Sequence, residues 1–286
     1  MNRVYRLKMA MNMNKKVVVF IMGATGSGKS KLSISLAAGV GGEIINSDKI
    51  QVYRGLDVLS NKVTEAEMQG VPHHLLSGAD PDVEFTAGDF CLQATAAIEK
   101  ISGSGKLPIV VGGSNSFIEA LVEDPISQFK STYRCCFIWL DACPLVLGKF
   151  VSERVDQMVE QGLVEEVRGI FDPDCEDYTK GIRKAIGVPE LDEYLRAEIN
   201  KNASEVEKTA LLKAAITQIK LNTISLIYRQ VEKIKQLNDI LMWPIHRIDV
   251  TPVFQVNGDK EAQEVNWEML VFKPSLGIVE EYLKNI

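Results

Sequence analysis

The stretch that most constrains this chain is short. A β-branched, apolar run over residues 16–22 stops at a glycine. It is followed by Gly23-Ala24-Thr25-Gly26-Ser27-Gly28-Lys29-Ser30 and then by a segment with Leu32, Ile34, Leu36 and Ala37 at its apolar positions. The octet matches G-x-x-x-x-G-K-[ST] at every defined position, in the strand–turn–helix setting that gives the motif its meaning. Its glycines let consecutive backbone N–H groups close around an anion, and the helix N-terminus adds partial positive charge. Lys29 brings a full charge to phosphate oxygens, and the Ser30 hydroxyl is placed for Mg²⁺. A chain with this cradle binds a di- or triphosphate. What happens to that phosphate is a separate matter. A GTPase needs an Asn-Lys-x-Asp base-reading motif, which Asn61-Lys62-Val63-Thr64 fails at its last position. A small-molecule kinase remains compatible with the octet taken alone.

The remaining pattern predicts an α/β fold: a P-loop NTPase-like parallel sheet flanked by helices, with a mainly helical C-terminal part. Residues 31–38 read as a helix ended by Gly41-Gly42. Residues 43–46, 107–111 and 136–140 read as short strands that each close on a glycine or a polar residue, as βαβ units do. From about Leu145 apolar residues recur at helical spacing, as in Val151, Val155, Met158, Val159 and Leu163. Residues 205–237 carry a long apolar stripe without Pro or Gly, which is read as core and not as a cofactor box. Residues 245–254 read as a returning strand. Three parts result: a basic segment at 1–15, a P-loop core at 16–144, and a helical substrate-binding part at 145–286 that continues the same fold.

With 46% hydrophobic residues, the chain has too much apolar surface to remain disordered. It has no apolar run near the ~20 residues of a bilayer span, so no membrane is expected. A formal net charge of −6 disfavours a long nucleic acid as the main partner, because affinity there rests on phosphate neutralisation. Five cysteines without metal-ligand spacing and three histidines argue against structural zinc and for a reducing compartment. Arg3, Arg6, Lys8, Lys15 and Lys16 precede the first acidic residue, Glu43, with no signal-peptide core among them. They read either as a solvated lead-in to the first strand or as the end of an organelle transit sequence.

Asp48 follows the second strand, at the edge where ligands gather in open α/β sheets. A carboxylate there can bind metal, accept a proton or cap a helix. The octet, Asn46-Ser47-Asp48-Lys49-Ile50-Gln51-Val52-Tyr53-Arg54-Gly55-Leu56-Asp57, Pro72-His73-His74 and Gly112-Gly113-Ser114-Asn115-Ser116 together resemble the isopentenyltransferases that prenylate adenine N6. Gly181-Ile182-Arg183-Lys184-Ala185-Ile186-Gly187 and Ile219-Lys220 with Tyr228-Arg229-Gln230 extend the likeness over residues 16–254. Within that family the chain is more similar to the plant adenylate isopentenyltransferases, which begin cytokinin synthesis, than to the tRNA dimethylallyltransferases. It has Ser114 where the tRNA branch usually has Thr, and only about 17 residues between Ile118 and Cys136 where that branch carries a long insertion. It also lacks the C-terminal Cys/His finger of the eukaryotic tRNA enzymes. An enzyme acting on an adenosine near the anticodon of tRNA is the alternative.

The resemblance implies transfer of the dimethylallyl group from dimethylallyl diphosphate to N6 of ATP, ADP or AMP, with release of diphosphate. On it, Asp48, Lys29 and Ser114 are the catalytic residues. Asp48 is the base for the N6 proton, Lys29 a counter-charge to the leaving group, and Ser114 a hydrogen-bond partner near the leaving oxygen. The donor's diphosphate lies on Gly23, Ala24, Thr25, Gly26, Ser27, Gly28, Lys29 and Ser30, with Arg229. Ser47, Asp48, Gln51, Asn115, Arg183, Lys184 and Lys220 serve the acceptor, the last three as partners for its phosphates. Lys220 and Arg229 stand about 2.5 turns apart in the long helix and so are offset around it. Mg²⁺ is the implied cofactor, held by Ser30 and Asp141. For Asp141, capping of the helix before Pro144 is an equal reading. His73 and His74 are taken as structural. The partners are small molecules and not tRNA. A monomer in the plastid or cytoplasm is expected, with the plastid favoured.

Overall fold

The computed structural model describes residues 15–256 and 259–284, so the basic segment expected at 1–15 lies outside it except for Lys15. Six parallel strands form one sheet: β1 (Lys16–Gly23), β2 (Gly42–Asn46), β3 (His73–His74), β4 (Leu107–Val111), β5 (Tyr133–Asp141) and β6 (Ile245–Asp249). Their order across the sheet is β3-β2-β4-β1-β5-β6. The apolar, β-branched run of β1 takes the centre because both of its faces are covered. Val17 to Met22 are buried, Val19 pairs with Ile109 and Phe20 with Phe137. Phe20 also stacks on Phe137 at 5.0 Å between ring centroids.

Helices connect and cover the strands. They are α1 (Lys29–Val40), α2 (Ala87–Gly103), α3 (Asn115–Glu123), α4 (Pro144–Glu160), α5 (Leu163–Gly169), α6 (Asp192–Ile199), α7 (Glu205–Asp239), α8 (Lys260–Trp267) and α9 (Lys273–Lys284). A π-helical turn, Glu268–Phe272, joins the last two. α2 begins with a capping box in which Thr86 and Asp89 satisfy each other's backbone N–H groups. The 35 residues of α7 are long and apolar enough to cross a bilayer. Its inward side, with Ile219, Ile227 and Ile234, lies in the common core, and 22% of its most apolar stretch is buried.

Two expectations change. The strand expected over 245–254 ends at Asp249, whose carboxylate accepts a hydrogen bond from Thr251 N at 2.9 Å. Pro252 then opens the short helix Thr251–Phe254. The pair His73–His74 adds a strand, with Ile44 opposite His73 and Ile45 opposite His74. Two residues are too few to show a period.

Candidate active site

β1 delivers the chain into the Gly-rich turn at its carboxyl end, and α1 starts on the far side of that turn. Gly26 and Gly28 have φ of +82° and +90°, the left-handed region that favours glycine. At Gly28 space is also exhausted, since a Cβ there would stand 2.6 Å from the Trp267 ring. Lys29 donates from Nζ to the Ala24 carbonyl at 2.8 Å. Burial pushes Lys29 down to about 8; the Asp48 carboxylate opposes this and the neighbouring Arg154 adds to it. Arg154, from α4, donates from Nη2 to Thr25 Oγ1 at 2.9 Å. Burial pushes it down to about 10, and its Nε is buried without a partner. Two cations thus stand together beside the Gly-rich turn at the N-terminus of α1, an arrangement that favours an anion.

Asp48 faces this nest from the end of β2. Its backbone N donates to Asn46 Oδ1 at 3.0 Å, and Asn46 Nδ2 donates to both Asp48 O and Leu75 O. Its Oδ1 accepts from Ile50 N at 2.9 Å and Gln51 N at 3.3 Å. These bonds fix the side chain through one oxygen, Oδ1.

The nest and the carboxylate line one cavity of about 370 Å³. Thr25, Gly26, Gly28, Lys29, Ser30 and Arg154 form its charged end. Phe150, Val155, Met158, Leu163, Ile219 and Leu226 give it an apolar wall, and Ile50, Gln51, Leu59 and His73 complete it near Asp48. His73 Nδ1 lies 2.8 Å from Val71 O, and burial holds the ring below its usual value. His74 pairs instead with Glu43 at 2.7 Å, away from the cavity lining.

Of the residues expected at the site, Gly23, Ala24 and Ser27 stand behind the nest, fully buried. Gln51 lines the cavity, with Nε2 donating to Ser60 O at 3.0 Å and Asn61 O at 3.2 Å. Ser114 does not line it; its Oγ accepts from Lys49 N at 3.0 Å and so anchors the backbone beside Asp48. Ser47 is fully buried under Gly112. Asn115 is buried and donates to the Gln230 carbonyl at 3.3 Å.

The other bases are committed elsewhere. Lys220 pairs with Asp156 at 2.6 Å, Lys184 with Glu84 at 2.6 Å, and Arg183 donates to Ile170 O at 2.8 Å. Arg229 is exposed, because one residue step turns a helix by about 100° and the inward position belongs to Gln230. Asp141 accepts from Arg247 Nε at 2.7 Å and Nη2 at 2.6 Å, so its carboxylate is held by an arginine. Ser30 is exposed on the cavity wall.

Sequence reasoning missed Arg154 and Gln230. Both carry the same signal, a polar side chain on an otherwise apolar helix face. Arg154 follows Val151 by three and precedes Val155, and Gln230 lies between Ile227 and Ile234. Gln230 accepts from Thr25 N through Oε1 at 2.8 Å and donates from Nε2 to Gly113 O at 3.0 Å.

A family model described as IPP transferase matches residues 51–132 and 124–236. Adenylate isopentenyltransferase 3, chloroplastic, of Arabidopsis thaliana is 50% identical over 272 residues, covering 95% of this chain and 80% of the relative. Adenylate isopentenyltransferase 5, chloroplastic, of the same plant is 53% identical over 270 residues, covering 94% and 81%. Among solved structures, a eukaryotic dimethylallyltransferase acting on tRNA superposes with a TM-score of 0.78 at 25% identity, over 95% of this chain and 80% of that one.

Proposed function

The chain belongs to the IPP transferase family, and from that premise we propose that it is an adenylate isopentenyltransferase. It moves the dimethylallyl group of dimethylallyl diphosphate to N6 of adenine in ATP, ADP or AMP and releases diphosphate, the entry step to cytokinins. The observation that carries this reading is the single cavity that joins an anion nest, an apolar wall and the Asp48 carboxylate.

The donor's diphosphate lies on the backbone N–H groups of the nest with Lys29 and Arg154 around it. These donors are in place before charge develops on the departing oxygens, where preorganised dipoles act most strongly. The allyl group lies along the apolar wall. As the C1–N6 bond forms and the C1–O bond breaks, the N6 proton passes to Asp48, a contribution of about 10²–10⁴-fold for a positioned base. Mg²⁺ prefers a few protein oxygens, phosphate oxygens and retained waters. The Ser30 hydroxyl fits that donor set, and Asp141, occupied by Arg247, does not. Bound there, Mg²⁺ would neutralise charge on the diphosphate.

Free nucleotide is favoured over tRNA by the short path from α3 to β5, which holds only a turn and the one-turn helix Phe129–Thr132. On this reading the enzyme works on small molecules as a monomer. Like the relatives named chloroplastic, it is expected in the plastid, with the cytoplasm as the other location. Incubation with labelled donor and ATP, ADP, AMP or tRNA, scored by product mass, tests it. Prenylated nucleotide is the expected product, and product on tRNA alone overturns the choice.

A further inference from the structure

Gln230 lines the cavity and spans the two halves of the site. Resting on the reading above, we propose that Gln230 is a positioning residue. It sets the register between the donor nest and Asp48, and so keeps the allyl group from being lost to water.

Three bonds meet at this residue, whose side chain is buried. Oε1 accepts from Thr25 N in the nest, Nε2 donates to the Gly113 carbonyl, and the backbone carbonyl accepts from Asn115 Nδ2. Gly113 is the link to the carboxylate. A Cβ at that position would stand 2.3 Å from Gln230 Nε2 and 3.6 Å from Asp48 Oδ2. The next residue, Ser114, accepts from Lys49 N, the peptide that follows Asp48. A continuous relay therefore runs from Thr25 through Gln230, Gly113 and Ser114 to the backbone at Asp48. It crosses from the end of β1 through the end of β4 to the end of β2, three adjacent strands.

Only a primary amide of this length fits both ends. Thr25 N–H needs an acceptor and the Gly113 carbonyl needs a donor. A carboxylate would offer an acceptor to a carbonyl, and an apolar side chain would leave both backbone groups buried and unpaired. Such a loss reaches the chemistry through geometry. The nest fixes the leaving oxygen, Asp48 fixes the amine, and transfer requires C1 between them at near-attack distance. A displacement of about 1 Å costs on the order of 10²-fold in rate. Loss of diphosphate from an allylic carbon needs less help from the incoming group than a saturated carbon would. The misplaced donor can therefore still break its C1–O bond. Water then forms the new C1–O bond, its proton goes to solvent, and dimethylallyl alcohol and diphosphate are the products.

The test compares wild type with Gln230→Met, which keeps length and loses both side-chain hydrogen bonds. Diphosphate release and prenylated nucleotide are counted in the same reaction, with thermal unfolding recorded beside them. Wild type should release one diphosphate per nucleotide product. Gln230→Met should lower kcat about tenfold to a hundredfold while KM for each substrate stays within about threefold. Its diphosphate should exceed its product, with the alcohol accounting for the difference. A folded Gln230→Met enzyme that keeps one-to-one stoichiometry overturns the proposal, whatever its stability. Should that variant not fold, Ser114→Ala cuts the same relay at Lys49, and it must show the same excess of diphosphate for the proposal to stand. A wild type that prenylates no free nucleotide overturns the underlying reading instead, so the two failures are distinguishable.

Discussion

Raising the pH should loosen the hold on the donor by a calculable amount. Burial sets Lys29 at about 8 in the free enzyme. An adjacent anion favours the charged form of a lysine, so with diphosphate bound Lys29 keeps its proton well above that value. Affinity then scales with the protonated fraction of the free enzyme. With a pKa of 8 that fraction falls from ~0.9 at pH 7 to ~0.1 at pH 9, a loss of about tenfold in affinity. The same linkage requires uptake of ~0.9 proton per binding event at pH 9 and only ~0.1 at pH 7. Arg154, at about 10, remains charged through this window, so one step is expected. The last ionisation of a phosphate ester, near 6, lies below it. Calorimetry with a non-transferable thiolo analogue of the donor, in two buffers of different ionisation enthalpy, measures affinity and proton uptake together. Lys29→Ala should bind more weakly at every pH and lose the step. A wild-type Kd that stays flat from pH 7 to 9, with heats independent of buffer, refutes the argument.

The other expectations are shorter. Asp48→Asn should lower turnover by about 10²–10⁴-fold while donor binding stays near wild type, read as kcat against a separately measured Kd. Arg154→Ala should raise the donor KM and lower kcat, together by about 10²-fold in kcat/KM, whereas Arg229→Ala should leave the donor KM unchanged. Gly28→Ala should abolish donor binding. Gly28→Ala combined with Trp267→Ala should restore only part of it, because the positive φ still disfavours a side chain there. For the unliganded enzyme, the Lys29 value of about 8 lies below the unfolded value of 10.5. The unfolded chain then holds the extra proton between these values, so this residue makes stability rise with pH across that window. Chemical denaturation at pH 8 and pH 10 reads that contribution as the difference between wild type and Lys29→Ala.

What was legible in the sequence was what is contiguous. β1, the nest and β4 could be read directly, because an unbroken apolar run ended by glycine has few other folded solutions. Asp48 was legible by its place at the end of a strand. Residues on the long helix were legible as types but not by direction: the pair Arg229-Gln230 differs only in phase, and the phase follows from which stripe the sheet buries. Lys220, Lys184 and Arg183 look like phosphate partners until their own partners arrive, and Asp156, Glu84 and the Ile170 carbonyl come from other elements. Asp141 is the sharpest case. Nothing near it in the chain hints at Arg247, which reaches it only because β6 adds to the edge of the sheet beside β5.

Trp267 against Gly28 has a consequence for the order of events during synthesis. The first half of the chain carries the Gly-rich turn, yet the side chain packed against it is made more than two hundred residues later. Lys31 reinforces the same junction through Glu264 at 2.5 Å and through the indole face. A nascent chain that stops short of residue 267 therefore has the turn without its aromatic cover. The turn gains this cover only once residues 260–267 have been made and their helix packs over it.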